Sequence, residues 1–238
     1  MRIFSRVDIK NHNVIKGIQL EGLRIIGNPK ELVKKYSEQG CDEILIVDAV
    51  ASYYDRNSLF NLIENFTEKI FIPLTLSGGI RKLKDIEKAL KSGADKVSIN
   101  TQFIKSPKFI KKACETFGSS TISTLIEAKK LQDKWYAYYD NGRENSGFLI
   151  KEWLEILQEN GIGEITINSI DKDGTLSGPD EKLIKSIYKK IKVPFIYSGG
   201  IKSQEHINKI KRYFKAVDGI ALSSALHYNH IKLQNIKK

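Results

Sequence analysis

The stretch "IPLTLSGGIRK", residues 72 to 82, returns later in the chain as "VPFIYSGGIKS", residues 193 to 203. A second pair keeps the same offset, since "QGCDEILIVDA", residues 39 to 49, returns as "NGIGEITINSI", residues 160 to 170. One repeated Ser-Gly-Gly is an ordinary turn. Two segments recurring at one common offset indicate an internal duplication, with about half the chain in each copy.

Working outward, apolar runs rich in Ile and Val predict strands at Ile3 to Ile9, Glu43 to Ala49, Phe71 to Ser77, Asp95 to Asn100, Thr121 to Glu127, Glu164 to Ser169, Pro194 to Ser198 and Val217 to Leu222. Segments of helical period follow near 29–39, 58–69, 82–92, 107–117, 147–160, 180–191, 203–214 and 229–237. An open doubly wound sheet has fewer strands and a G-x-G-x-x-G turn, which this chain lacks. The expected fold is therefore α/β, a (β/α)8 TIM barrel with a two-fold internal half-barrel repeat, spanning 1–238 as a single domain.

Composition narrows the function. With 238 residues, 41% of them hydrophobic, the chain can bury a large core. The charged start "MRIFSRVDIK" is no secretory segment, and no apolar run approaches the roughly 18 residues of a membrane span. A cytoplasmic protein is expected, with no membrane partner. Two cysteines, Cys41 and Cys114, without C-x-x-C spacing predict neither a disulfide framework nor a zinc site. The net charge of +11 comes from lysines spread over helix faces such as "PKELVKKYSEQG" and "DEKLIKSIYKKIK". Without a helix-turn-helix, RNP or zinc-finger pattern, solvated helix faces explain it, and no nucleic-acid partner is expected.

In such barrels chemistry sits where strands end at their carboxyl termini. Strand 3 ends in Ser77-Gly78-Gly79, strand 4 in Asn100-Thr101 and strand 6 in "IDKDGT", with Asp173, Gly174 and Thr175. Strand 7 ends in Ser198-Gly199-Gly200 and strand 8 in Ser223-Ser224. Glycines let backbone N–H groups approach an anion, and small hydroxyls add donors. Each Gly pair alone is also explained by a turn. In duplicate, at strand ends, they predict two phosphate cradles across one barrel mouth, suited to a small-molecule substrate phosphorylated at both ends. His12, His206, His227 and His230 lack metal-site spacing and are read as surface or core residues; no metal and no cofactor are expected. Trp135 and Trp153 are read as packing, and "KWYAYYDNGR" as a hairpin around its Asn-Gly turn.

From "VDIK", "IKGIQLEGLR", "FIPLTLSGGIRKLKDIEKALKSGADKVSINT", "FGSS", "NSIDKDGT" and "SGGI", all in family order, the chain closely resembles the cyclase subunits of imidazole glycerol phosphate synthase, often called HisF. The resemblance implies a lyase/cyclase of histidine biosynthesis. Ammonia released from glutamine by a separate, HisH-like glutaminase enters the barrel from its N-terminal face. It converts a bisphosphorylated aminoimidazole-carboxamide ribonucleotide to imidazole glycerol phosphate and the carboxamide ribonucleotide AICAR. It also implies Asp8 and Glu127 as the acid/base pair, Lys16 in a mobile loop after strand 1, and Asp48 at the strand 2 aspartate. Arg2, Glu43, Lys96 and Glu164 match a ring of charges that gates the ammonia channel.

Four departures surround the mouth. Glu127 stands where the family has Asp, Arg6 where it has Cys, and Ser77 where it has the first of three glycines. "VDAVASYYDRNSLF" replaces a short polar stretch. Period-two alternation turns Arg2, Phe4, Arg6 and Asp8 to one side, so Arg6 requires a buried partner. Asp8 or Glu127 is expected to supply it, with a lowered pKa. Two further readings stay open beside the cyclase. One is a paralogue of surface-polysaccharide synthesis that supplies ammonia to turn an acetamido nucleotide sugar into an acetamidino sugar. The other is a non-catalytic phosphate-binding barrel.

Overall fold

The structure, a computed structural model, describes residues 1–51, 60–67 and 70–236. Its strands are β1 (Arg2–Lys10), β2 (Asn13–Ile18), β3 (Glu21–Gly27), β4 (Glu43–Asp48), β5 (Leu74–Ser77), β6 (Lys96–Ser98), β7 (Ile122–Leu131), β8 (Lys134–Tyr139), β9 (Glu144–Leu149), β10 (Glu164–Ser169), β11 (Phe195–Ser198) and β12 (Gly219–Leu222). The parallel order β1-β4-β5-β6-β7-β10-β11-β12 closes when β12 pairs back onto β1. This is the (β/α)8 TIM barrel. Helices α1 (Pro29–Glu38), α2 (Phe60–Thr67), α3 (Leu83–Lys91), α4 (Thr101–Lys105), α5 (Lys108–Phe117), α6 (Ile150–Glu159), α7 (Glu181–Ile187), α8 (Gln204–Tyr213), α9 (Ser224–His227) and α10 (Leu233–Ile236) connect and cover the barrel.

The remaining strands form two antiparallel hairpins. β2 and β3 extend β1, and β8 and β9 extend β7, so each half opens with a long strand that runs on into a hairpin. The second hairpin turns through Asp140, Asn141 and Gly142, all at positive φ, at the Asn-Gly signal in the sequence. The first was not foreseen. Ile18 faces Glu21 across a two-residue turn in which Gln19 and Leu20 hold φ of 53° and 66°, an unusual pair for a turn that favours Asn-Gly. The helix expected near 229–237 is found only as the short α10, and α9 precedes it directly after β12. The strand expected from Phe71 begins only at Leu74.

Strand alternation builds two separate interiors. Ile3, Val7, Ile9, Ile44 and Ile46 point outward into one continuous core with the helices, whereas Phe4, Ile196 and Ala221, and separately Leu45, Val47 and Leu125, pack inside the barrel. Gly219 makes room for Phe4, since a Cβ there would lie 2.9 Å from the Phe4 ring. The duplication extends to register. Asp8 pairs with Val47 and Glu127 with Asn168, and residues 47 and 168 correspond in the repeat. Asp8 and Glu127 thus occupy one position of the two half-barrels.

The helices carry the apolar stripes that seal this core. In α6, Ile150, Trp153, Leu154 and Leu157 are buried at helical spacing, and Trp153 stacks on Phe148 at 5.1 Å. Among the described residues no helix is long and apolar enough to cross a membrane. Trp153→Ala is expected to lower the unfolding free energy by about 3–5 kcal/mol in denaturant titrations; a loss under about 1 kcal/mol would mean the outer core does not depend on this stripe.

Candidate active site

The two strand-end cradles lie at the carboxyl end of the barrel and are built alike. Gly78 after β5 passes so close to the end of β4 that a Cβ would lie 2.5 Å from the Asp48 carbonyl oxygen. Gly199 after β11 does the same over Ser169, at 2.9 Å, and both have strongly positive φ. Only glycine fits either place, so the first glycine of each duplicated pair is required by the backbone. The first cradle is open: Asp48, Gly78, Gly79, Asn100, Thr101 and Glu127 line a cavity of about 260 Å3.

The second cradle is nearly filled. Asp173, Gly174, Ser198, Gly199, Gly200, Ser223 and Ser224 surround only about 20 Å3, room for one water. The β2–β3 hairpin closes it from above, with the Gln19 N–H donating to the Asp173 carbonyl at 2.8 Å and the Gln19 side chain to the Asp171 carbonyl at 3.2 Å. Lys16 therefore does not lie in an irregular loop. It projects from strand β2, is 3% exposed, and enters the cradle.

Beneath Lys16 lies a four-member charge cluster. Lys16 Nζ sits 2.5 Å from Asp173 Oδ1 and 3.4 Å from Asp8 Oδ2. Arg6, 1% exposed, places Nε 2.7 Å from Asp8 Oδ1 and an Nη 3.5 Å from both Asp173 Oδ2 and the Ser198 hydroxyl. Two cations thus meet two carboxylates, which satisfies the requirement for a partner of Arg6. Burial alone would raise the pKa of Asp8, but Arg6 and Lys16 more than offset it and hold Asp8 below the usual carboxylate range.

Glu127 has the opposite environment. Burial pushes it up to about 8, against weaker opposition from Arg6 and from the Gly142 N–H, which donates to Oε2 at 2.7 Å. The lowered pKa expected for this residue is not found, because Arg6 forms its close ion pairs with Asp8 and Asp173 instead. At neutral pH one of the two equivalent positions is ionised and the other carries a proton. Such a pair can take a proton at one point and give one at another.

At the opposite end, Arg2, Glu43, Lys96 and Glu164 encircle the barrel axis. Lys96 Nζ lies 3.0 Å from Glu43 and 3.1 Å from Glu164. Arg2 lies 3.5 Å from Glu43 and makes a close ion pair with Glu164. Glu43 also accepts a hydrogen bond from Thr75. The two glutamates are repeat-equivalent, and each is bridged by both cations.

Not every expected residue joins a site. The Thr175 hydroxyl bonds to the Lys172 carbonyl and to Ser177 within its own loop and is absent from the cradle wall. Thr101 does line the first cradle, and its hydroxyl also accepts from the Asp140 N–H at 3.1 Å. Tyr53, Tyr54 and Asp55 of the replaced loop lie outside the described residues. Arg81 and Lys105 line the first cradle and were not foreseen, although the Arg directly after "SGGI" was a visible signal. His227, read as a core or surface residue, lies buried beside Ser223.

A duplicated TIM barrel with paired glycine loops, two unlike carboxyl groups between them and a ring of ion pairs at its far end defines a narrow class of protein. The chain belongs to the histidine biosynthesis protein family, whose model matches residues 2–232. It is similar to proteins named imidazole glycerol phosphate synthase subunit HisF. That of Legionella pneumophila is 43% identical over 209 residues, 87% of this chain and 99% of the relative. Those of Bacillus cereus (strain G9842) and Methanocaldococcus jannaschii are 38% and 39% identical, each over 100% of this chain and 94% of the relative.

Because folding raises the pKa of Glu127, its protonated form favours the native state. That contribution is full below the unfolded value near 4.5 and is lost as pH rises through about 8. Glu127→Gln should therefore gain stability relative to the wild type between pH 6 and pH 9, on the order of 2 kcal/mol by denaturant titration. Parallel pH dependence in the two proteins would contradict the assignment.

Proposed function

We propose that this protein is the cyclase subunit of an imidazole glycerol phosphate synthase. It combines ammonia with a bisphosphorylated aminoimidazole-carboxamide ribonucleotide to give imidazole glycerol phosphate, AICAR and one water. The observation that carries the reading is the unlike pair Asp8 and Glu127 at one repeat position, in a chain similar to HisF subunits along its whole length. Asp8 accepts a proton from the nitrogen as it forms the new ring bonds. Glu127 gives its proton to the nitrogen of the departing carboxamide ribonucleotide. The glycine loops receive the two terminal phosphates, one in the open cradle and one in the cradle under Lys16, which must move with its hairpin to admit it.

A glutaminase partner docks at the N-terminal face, and the ring of Arg2, Glu43, Lys96 and Glu164 controls passage of ammonia into the lumen. Its zero net charge leaves no uncompensated field across the entrance. Arg6, buried beneath the second cradle and tied to Asp8, Asp173 and Ser198, is the observation that keeps the nucleotide-sugar acceptor as a second reading.

Purified protein given an ammonium salt and the ribonucleotide should form imidazole glycerol phosphate, and Asp8→Asn should reduce kcat by roughly 10²- to 10⁴-fold. A folded wild type that binds the ribonucleotide poorly and forms no product would remove this reading and leave the sugar acceptor. With glutaminase and glutamine as the nitrogen source, Lys96→Gln should lower product formed per glutamine consumed while ammonium-driven turnover persists. Equal losses with both nitrogen sources would argue against a gate.

A further inference from the structure

A buried chain of three hydrogen-bonding side chains ends in the second cradle. The Tyr36 hydroxyl, on α1, lies 2.7 Å from His227 Nδ1, and His227 Nε2 lies 3.1 Å from the Ser223 hydroxyl. Tyr36 is fully buried, and His227 and Ser223 are 8% and 9% exposed. Ser223 lines the cradle with Gly174, Gly199 and Gly200. Beside it Ser224, 6% exposed, has a buried hydroxyl with no hydrogen-bond partner. A buried hydroxyl left unsatisfied in a pocket wall is costly unless a ligand completes it.

We propose that Tyr36 and His227 are positioning residues that fix Ser223 as a hydrogen-bond donor to a phosphate monoester in the second cradle. The argument is one of proton order. His227 Nδ1 is the acceptor within reach of the buried Tyr36 hydroxyl among the described residues, so the phenol donates to it. The neutral imidazole then carries its proton on Nε2 and donates it to the Ser223 oxygen. Ser223 receives that bond on a lone pair and keeps its own proton for an acceptor in the cradle, which a phosphate oxygen supplies. In the reverse order the phenol proton would be buried without a partner, and Ser223 would spend its proton on His227 and turn a lone pair toward the anion.

Burial pushes the Tyr36 phenol up and holds His227 down to about 4, so both groups are neutral and the imidazole carries a single proton to be placed. Hydrogen bonds at both ring nitrogens orient the imidazole, whose centroid lies 5.8 Å from that of the Tyr36 ring. The proposal rests on the phosphate-binding role given above to the second cradle.

Inorganic phosphate followed by amide NMR tests it, because Gly199 and Gly200 report the second cradle while Gly78 and Gly79 report the first. Ser223→Ala and His227→Phe should each raise Kd at the second cradle about tenfold, the loss of one hydrogen bond to a charged group. Combining them should add little, Tyr36→Phe should give a smaller loss, His227→Gln should restore part of the affinity, and Kd at the first cradle should not change. Wild-type Gly199 and Gly200 resonances unmoved by phosphate would overturn the proposal. So would unchanged affinity in Tyr36→Phe and His227→Phe, or losses from His227→Phe and Ser223→Ala that add in full. Phosphate binding with this pattern in a protein that forms no imidazole glycerol phosphate would remove the cyclase reading and leave the relay standing.

Discussion

A charge inside a barrel has little water to hold it and has to be cancelled by a neighbour. Two levels of this lumen obey that constraint separately. At the strand starts, Arg2 and Lys96 bridge Glu43 and Glu164. Near the mouth, Arg6 and Lys16 bridge Asp8 and Asp173. Glu127 is left outside both sets, and the price of its burial is met by keeping its proton. The difference between the two candidate catalytic carboxyl groups follows from which of them the cations reach.

The duplication makes that difference informative. Asp8 and Glu127 hold the same register position in the two halves, and Gly78 and Gly199 make the same close approach to a strand-end carbonyl. Backbone symmetry is preserved while side-chain chemistry is not. One half carries an open cradle, and the other is occupied by Lys16 from its hairpin and backed by the Tyr36–His227–Ser223 chain. A substrate with unlike ends needs such asymmetry on a symmetric scaffold.

The barrel was legible because parallel strands buried on both faces leave apolar runs, and because the repeat stands at a single offset. The glycine loops were legible for the same reason: only one residue type tolerates that backbone. The β2–β3 hairpin was hidden by Gln19 and Leu20, which occupy positive φ without the residues that normally announce it. Lys16, which the resemblance puts in a loop, belongs to this hairpin. A partner for Arg6 followed from electrostatics, whereas the raised pKa of Glu127 did not, because it depends first on how deeply the folded barrel buries that carboxyl and then on Arg6 pairing elsewhere, neither of which spacing encodes. Thr175 shows the converse, a hydroxyl in the expected loop whose side-chain bonds run within its own turn. The His227 chain joins α1 to α9 across the sequence and leaves no local pattern beyond Ser223 and His227 four residues apart.

Carboxyl-carbon NMR titration of the wild type, with Asp8 and Glu127 assigned through single substitutions, tests the central claim directly. The account predicts a Glu127 signal with a midpoint near 8 and an Asp8 signal that stays in its ionised position down to below the ordinary carboxylate range. Two carboxyl groups titrating together in the ordinary acid range would contradict it.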